Sequence, residues 1–344
     1  MGRASSSRRH SRPAPRATLG AVGVRVGLGI AAFPFENPRA FFRWVDLCEE
    51  GGVDSLWQTD RLVSREPHLE ALSVMAALAG ATERVKFGMN AMVATLRDPL
   101  VAAKQCATID FLSGGRLLPV FVPGHDTAPE WGATGRDPRE RGRRADEILD
   151  IMRRLWSEER VTYEGRHFRY RDASIAPRPV QQPLPLWIGG HGPAAVRRTA
   201  RVGTGWLAGL VGPEEVRAVL GDIRRALAAA GRAIASDHYG ATLPFRFGAL
   251  DEPLVGRMAA ARGAAPGAPP PPWLAVGDAR EVLARLRAYL AAGVSKLVLI
   301  PLARGDDDVL EQTRRVVAEV IPALEAEAPA AAPDRPGRAR AAGA

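Results

Sequence analysis

The stretch Gly189-Gly190-His191-Gly192 follows a short apolar run and precedes Pro193. Glycines at such a point expose backbone N–H groups, and a helix starting behind them adds the positive end of its dipole, so a phosphate would be held there naturally. The same glycines also suit a plain tight turn that needs φ > 0, and both readings stand. A second stretch, Pro123-Gly124-His125-Asp126, sets an imidazole after another apolar run, where it could exchange a proton near neutral pH. A histidine so placed serves equally as a cofactor contact or a loop cap. Asp60-Arg61 forms a third candidate. His10 and His167 fall in a terminal segment and a hairpin, and His68 and His238 have no evident partner. No HxH, HExxH or CxxC spacing occurs, so no metal site is expected. The chain also lacks GxGxxG after its first strand, GxxxxGK[ST] and GxSxG, which disfavours a resident nicotinamide, ATP and a hydrolase elbow.

Groups of this kind need a frame, and the chain supplies strands alternating with helices, the signature of βα units and a parallel sheet. The strands are expected at 24–30, 55–58, 85–93, 116–122, 185–188, 205–208, 240–248 and 296–300. Asn37 with Pro38, and Asp98 with Pro99, open helices; Ile148, Leu149, Met152, Leu155 and Trp156 line one face of a helix near 138–156. Pro119 inside the fourth strand suggests a local distortion. Residues 161–170 read as a β-hairpin turning at Glu164-Gly165, expected as a rim insertion, and 249–272 as a long mobile loop. Eight strands over about 300 residues close most simply into a (β/α)₈ TIM barrel, whose active site lies at the carboxyl ends of its strands. That rule selects Asp60 and Arg61, Asn90 to Thr95, Pro123 to Asp126, and Gly189 to Gly192.

Charge and composition narrow the classes. Residues 1–18 carry five arginines and no acid, and 328–344 a surplus of two, so the body keeps about +2 of the chain's +9. The basic excess belongs to Pro-, Ala- and Arg-rich ends expected to be disordered, at 1–19 and 328–344, around one domain at 20–327. Nucleic acid is therefore not an expected partner. Nothing approaches 18 uninterrupted apolar residues, so no membrane span is expected. Arg8-Arg9 precedes only a short apolar stretch broken by Arg25, which reads as the first strand rather than an export signal. Cys48 and Cys106 sit in apolar helical patterns as reduced core thiols, and a cytoplasmic location follows.

An ordered set of motifs resembles the luciferase-like monooxygenase family. It comprises Ser55-Leu56-Trp57-x-x-Asp60, the strand from Gly88 to Thr95 with Arg97-Asp98-Pro99, and Lys104-Gln105-x-x-Thr108-x-Asp110-x-Leu112-Ser113-Gly114-Gly115-Arg116. Next come Arg139-x-Arg141-Gly142-x-Arg144-x-Asp146-Glu147 and Tyr163-x-Gly165-x-x-Phe168. Pro185-Leu186-Trp187-Ile188-Gly189-Gly190 and Gly203-x-Gly205-Trp206 complete a set spanning about residues 22 to 322.

The resemblance implies a barrel binding either FMN or the 8-hydroxy-5-deazaflavin coenzyme F-420. Its ring would rest against strand three near Met89, Asn90, Ala91 and Thr95, with a non-prolyl cis peptide at Asn90–Ala91. Pro123 and Gly124 would flank the ring, and Gly189, Gly190, His191 and Gly192 would hold the phosphate. Two departures follow. Arg61 replaces the histidine that often follows Asp60, and His125 stands where some deazaflavin-dependent dehydrogenases carry glutamate, which puts a sugar-phosphate substrate in question. His125, Asp60 and Arg61 are the catalytic candidates. The expected activity is hydride exchange between F-420 and a small organic substrate, since deazaflavin C5 carries hydride and reacts poorly with oxygen. An FMN-dependent monooxygenase fed by a separate reductase, and a non-catalytic flavin- or deazaflavin-binding barrel, are the alternatives. A homodimer also stays open.

Overall fold

The computed structural model describes residues 24–265 and 268–327. The tails expected at 1–19 and 328–344 lie outside the described residues. The chain runs β1 (Arg25–Ile30), α1 (Pro38–Glu50), β2 (Ser55–Gln58), α2 (Ala71–Ala81), β3 (Lys86–Met89), β4 (Met92–Val93), α3 (Pro99–Leu112) and β5 (Val120–Val122). Then come α4 (Glu130–Thr134), α5 (Arg141–Ser157), β6 (Val161–Glu164), β7 (Arg169–Ala173), β8 (Trp187–Gly189), α6 (Pro193–Val202), β9 (Gly205–Ala208), α7 (Pro213–Ala229) and β10 (Tyr239–Phe247). The rest is α8 (Pro253–Ala260), β11 (Ala275–Gly277), α9 (Ala279–Ala292), β12 (Lys296–Pro301), α10 (Gly305–Arg315) and α11 (Ile321–Glu327), the last two joined by a π-helical turn at Val316–Val320.

Parallel pairing runs β3-β2-β1-β12-β10-β9-β8-β5-β4. Because β3 and β4 are two halves of one stave broken at Asn90–Ala91, the ring closes with eight staves, and a bridge from Phe87 to Leu117 ties the lower half to the segment before β5. This is a (β/α)₈ barrel. Side chains alternate along each stave, as strand geometry requires. One set, including Leu28, Leu56, Phe87, Met89, Phe121, Ile188 and Leu299, packs outward under the helices, whereas Trp57, Val120, Trp187, Leu207, Val298 and Ile300 fill the interior. The two interior indoles need bare backbone beside them: a Cβ on Gly205 would lie 2.3 Å from the Trp187 ring. Helix ends follow their local chemistry. The Asn37 side chain accepts the Ala40 N–H at 3.1 Å, and Asp98 accepts those of Leu100 and Val101.

Three expectations need adjustment. The hairpin β6–β7 reaches the carboxyl-end rim only with its turn, where Arg166 and His167 face Glu140 at the start of α5. It belongs to the connection between α5 and β8, which starts at the amino end of the barrel, and it climbs the outside of α5. There the Glu147 carboxylate accepts the N–H groups of Arg166, His167 and Phe168, and Tyr170 Oη donates to Asp98 Oδ2 at 3.1 Å. Residues 249–272 are not one long loop, since α8 forms inside them and buries Val255 against Leu274 and Leu302. The short strand β11 just beyond extends β10 at Phe245–Phe247. The fourth strand is regular only over Val120–Val122: Arg116 and Leu118 pair with Phe87, and Pro119 O accepts the Trp187 N–H at 3.1 Å, so the irregularity falls at Pro119, where a distortion was expected. Cys48 and Cys106 are free and buried. Burial pushes both thiols up, Cys106 to about 12.

Candidate active site

At the carboxyl end of β2, Asp60 is fully sequestered. It accepts both arms of Arg97, at 2.7 and 2.8 Å, and the Val93 N–H at 2.9 Å. The same guanidinium reaches Glu70 at 2.8 Å, and Glu70 in turn caps α2 through Ser73. Burial works against the charge on Arg97, but its hydrogen bonds to Asp60 and Glu70 outweigh it and raise the pKa. Glu70 feels the converse. Burial disfavours its charge, yet the Arg97 and Ser73 bonds hold its carboxyl below the usual range. Asp60 thus fastens the upper half of stave three, with both of its carboxylate oxygens engaged.

That stave carries a cis peptide at Asn90–Ala91. The Asn90 amide donates to Thr242 Oγ1 across the barrel at 3.0 Å, and its backbone N–H to Gln58 O at 2.9 Å. Ala91 joins the interior set. Met89, by contrast, is buried in the layer beneath the helices, so only its backbone faces the mouth. Thr95 is buried and donates to Pro123 O at 2.9 Å, which ties the turn after stave three to the turn after β5. Gly124 has φ +88, and a Cβ there would strike Trp131 and Val93.

The floor of the mouth comes together at β8. A Cβ built on Gly189 would lie 2.7 Å from Val122 and 3.5 Å from Ala91. Above it, Gly190 has φ +103, Gly192 has nothing within 4 Å of where its Cβ would be, and α6 starts without a side-chain cap or an acid in its first turn. Backbone and helix dipole are therefore open to an anion. His191 is half exposed, its Nε2 3.9 Å from Glu215. The apolar floor of Ala91, Val122 and Gly189 beneath this loop fits a flat ring bearing a phosphate.

The other two catalytic candidates are placed differently from Asp60. The His125 side chain is 79% exposed, with Nδ1 2.9 Å from Thr127 Oγ1 and 3.2 Å from Asp126. Its backbone carbonyl, not its ring, is the buried anchor, accepting from Trp131 Nε1 at 2.6 Å. Arg61 stands 3.7 Å from Glu130. Glu130 was not singled out by motif, yet its side chain is 3% exposed and its Oε2 has no hydrogen-bond partner. No sequence pattern marks it, since its partner Arg61 comes from the segment after β2. Among the described residues no group of three or more His, Cys, Asp or Glu is arranged to hold a metal ion.

The family model described as luciferase-like monooxygenase matches residues 17–265. The chain belongs to that family. Among its relatives is an F-420-dependent glucose-6-phosphate dehydrogenase from Kineococcus radiotolerans, 34% identical over 168 residues, which are 46% of this chain and 49% of that protein. The chain thus spans about half the length of the curated relatives it matches. Two solved structures share the luciferase-like fold. A monooxygenase from Streptomyces bottropensis superposes with a TM-score of 0.73 at 22% identity, covering 86% of this chain and 99% of the other. An F-420-dependent secondary alcohol dehydrogenase, solved with an F-420–acetone adduct, gives 0.74 at 19%, covering 88% and 99%.

Proposed function

We propose that this chain is an oxidoreductase that exchanges a hydride between coenzyme F-420 and a small organic substrate at the carboxyl-end mouth. The observation that carries the proposal is the floor of Ala91, Val122 and Gly189 beneath the uncapped Gly190–Gly192 loop, a place for a flat ring with its phosphate on α6. The F-420-dependent names of the Kineococcus relative and of the alcohol dehydrogenase of like fold support deazaflavin over flavin. When bound, F-420 supplies a carbon centre that gives or takes hydride. The protein's part is to hold the phosphate on backbone N–H groups, to seat the ring on stave three, and to manage one proton.

For that proton the buried Glu130 beside Arg61 is better placed than His125, whose ring lies in solvent. A carboxyl at the rim with an uncommitted oxygen can give or take a proton, and Arg61 can orient it or an anionic part of the substrate. No described helix is long and apolar enough to cross a membrane; a cytoplasmic location belongs to the same proposal, on the two free buried thiols. Titrating the purified protein with F-420 and, separately, with FMN tests the reading. An absorbance shift near 420 nm and micromolar binding of F-420 are expected. Binding of FMN alone would replace the proposal with flavin-dependent oxygenation by the same mouth, and binding of neither would leave a barrel without this chemistry.

A further inference from the structure

At the opposite end of the barrel lies a cavity of about 230 Å³. Its walls are strand beginnings: Arg25 opens β1, Lys86 opens β3, Trp187 opens β8, Lys296 opens β12, and His238 stands just before β10. The cavity is thus at the amino end, away from the mouth. Its lining holds three full positive charges and no acid. Two are matched from behind, Arg25 by Asp237 at 3.0 Å and Lys296 by Asp54. Lys86 forms no ion pair among the described residues. Trp187 is 2% exposed, and its indole N–H, buried in this wall, has no acceptor. A buried N–H without a partner costs about 1–3 kcal/mol, so such donors are rarely left idle. The cofactor site explains neither the idle donor nor the unmatched cation.

We propose that this amino-end well binds a small oxyanion of the phosphate or carboxylate class, which accepts the Trp187 indole N–H and balances Lys86. Either oxyanion is compact enough for the cavity and has the acceptor oxygens that the indole and ammonium groups lack. The proposal does not depend on the identity of the cofactor.

The test uses the full chain, titrated calorimetrically with inorganic phosphate and, in parallel, with malonate, against chloride at constant ionic strength. Saturable binding of at least one, with a matching rise in Tm, is expected, and the tighter of the two names the class. Lys86→Gln, a change at a partly exposed position, should weaken that binding at least tenfold; Trp187→Phe should do the same if it folds. Any component that survives Lys86→Gln belongs to the α6 loop, and binding kept in full by Lys86→Gln would overturn the proposal. So would a response to neither anion, or one that chloride reproduces.

Discussion

At its amino end the barrel closes on charge: Lys296, fully buried, meets Asp54 and Ser55 beneath the Trp57 ring. Burial lowers the Lys296 pKa, and although burial also pushes Asp54 up, the ammonium beside it holds that carboxyl below its usual range. At the carboxyl end two staves, the broken third and β8, present small residues instead, Ala91, Gly189 and Gly190, which leave backbone uncovered. Lys296 and Asp54 spend their side chains on holding staves together, and the small residues of the mouth leave room for something else to approach. Substitutions at these two places should fail in different ways.

The largest effect is expected at the closed end. Lys296→Met would leave the largely buried Asp54 without its partner, a loss of up to about 3–5 kcal/mol. At roughly 2–4 °C per kcal/mol for a domain of this size, Tm should fall by ~10 °C in a calorimetric scan. Cofactor affinity per folded molecule should hold; if it collapsed while Tm stood, the division between the ends would be wrong. At the open end, Glu130→Gln should lower kcat by roughly 100-fold, within the range for a lost general acid or base, with cofactor affinity nearly constant. His125→Ala should leave kcat within a few-fold. The reverse ranking in steady-state assays would return the proton to the imidazole.

Gly192→Val comes next. Its neighbourhood is empty and its φ of −75 suits any residue, so the fold should be untouched. Cofactor binding should weaken by about tenfold, or 1.4 kcal/mol, in a fluorescence titration. Gly190 is a poorer site for this test because its positive φ would confuse backbone strain with lost contact. The smallest effect is a pH dependence. Glu70 has a depressed pKa in the folded chain, so its contribution is complete above the unfolded value near 4.5 and is lost as pH falls through the lower folded value. The group is partly exposed, which limits the term to about 1 kcal/mol or less. Tm measured from pH 6 down to pH 3 should fall by ~2 °C more in the parent protein than in Glu70→Gln.

The eight staves were legible because strands buried on both faces are written as short apolar runs between glycine and proline punctuation. The break in stave three and the loop after β8 were legible through the family's motif order. What escaped depends on neighbours remote in sequence. Helix α8 buries only Val255, with Met258 partly buried beside it, so its apolar face is too short to read in the sequence. His125 follows a strand end, but the positive φ of Gly124 and the Trp131 bond to its carbonyl turn its ring outward, and no motif encodes that turn. Glu130 is functional-looking only once Arg61, arriving from another stave, stands beside it.

The Arg97 fork has one more consequence. By gripping Asp60 at the end of β2 and Glu70 at the start of α2, a single guanidinium closes residues 61–69 into a ring without a covalent bond. Most of that ring is exposed, and it begins with Arg61 at the mouth. Once its ends are pinned, lengthening such a ring is cheap, about 0.6 kcal/mol for each doubling. Selection could therefore rewrite this segment, in length as well as composition, without disturbing either stave. The barrel carries an interchangeable part at the edge of its mouth, and a lineage changing substrates would find its freest variation there.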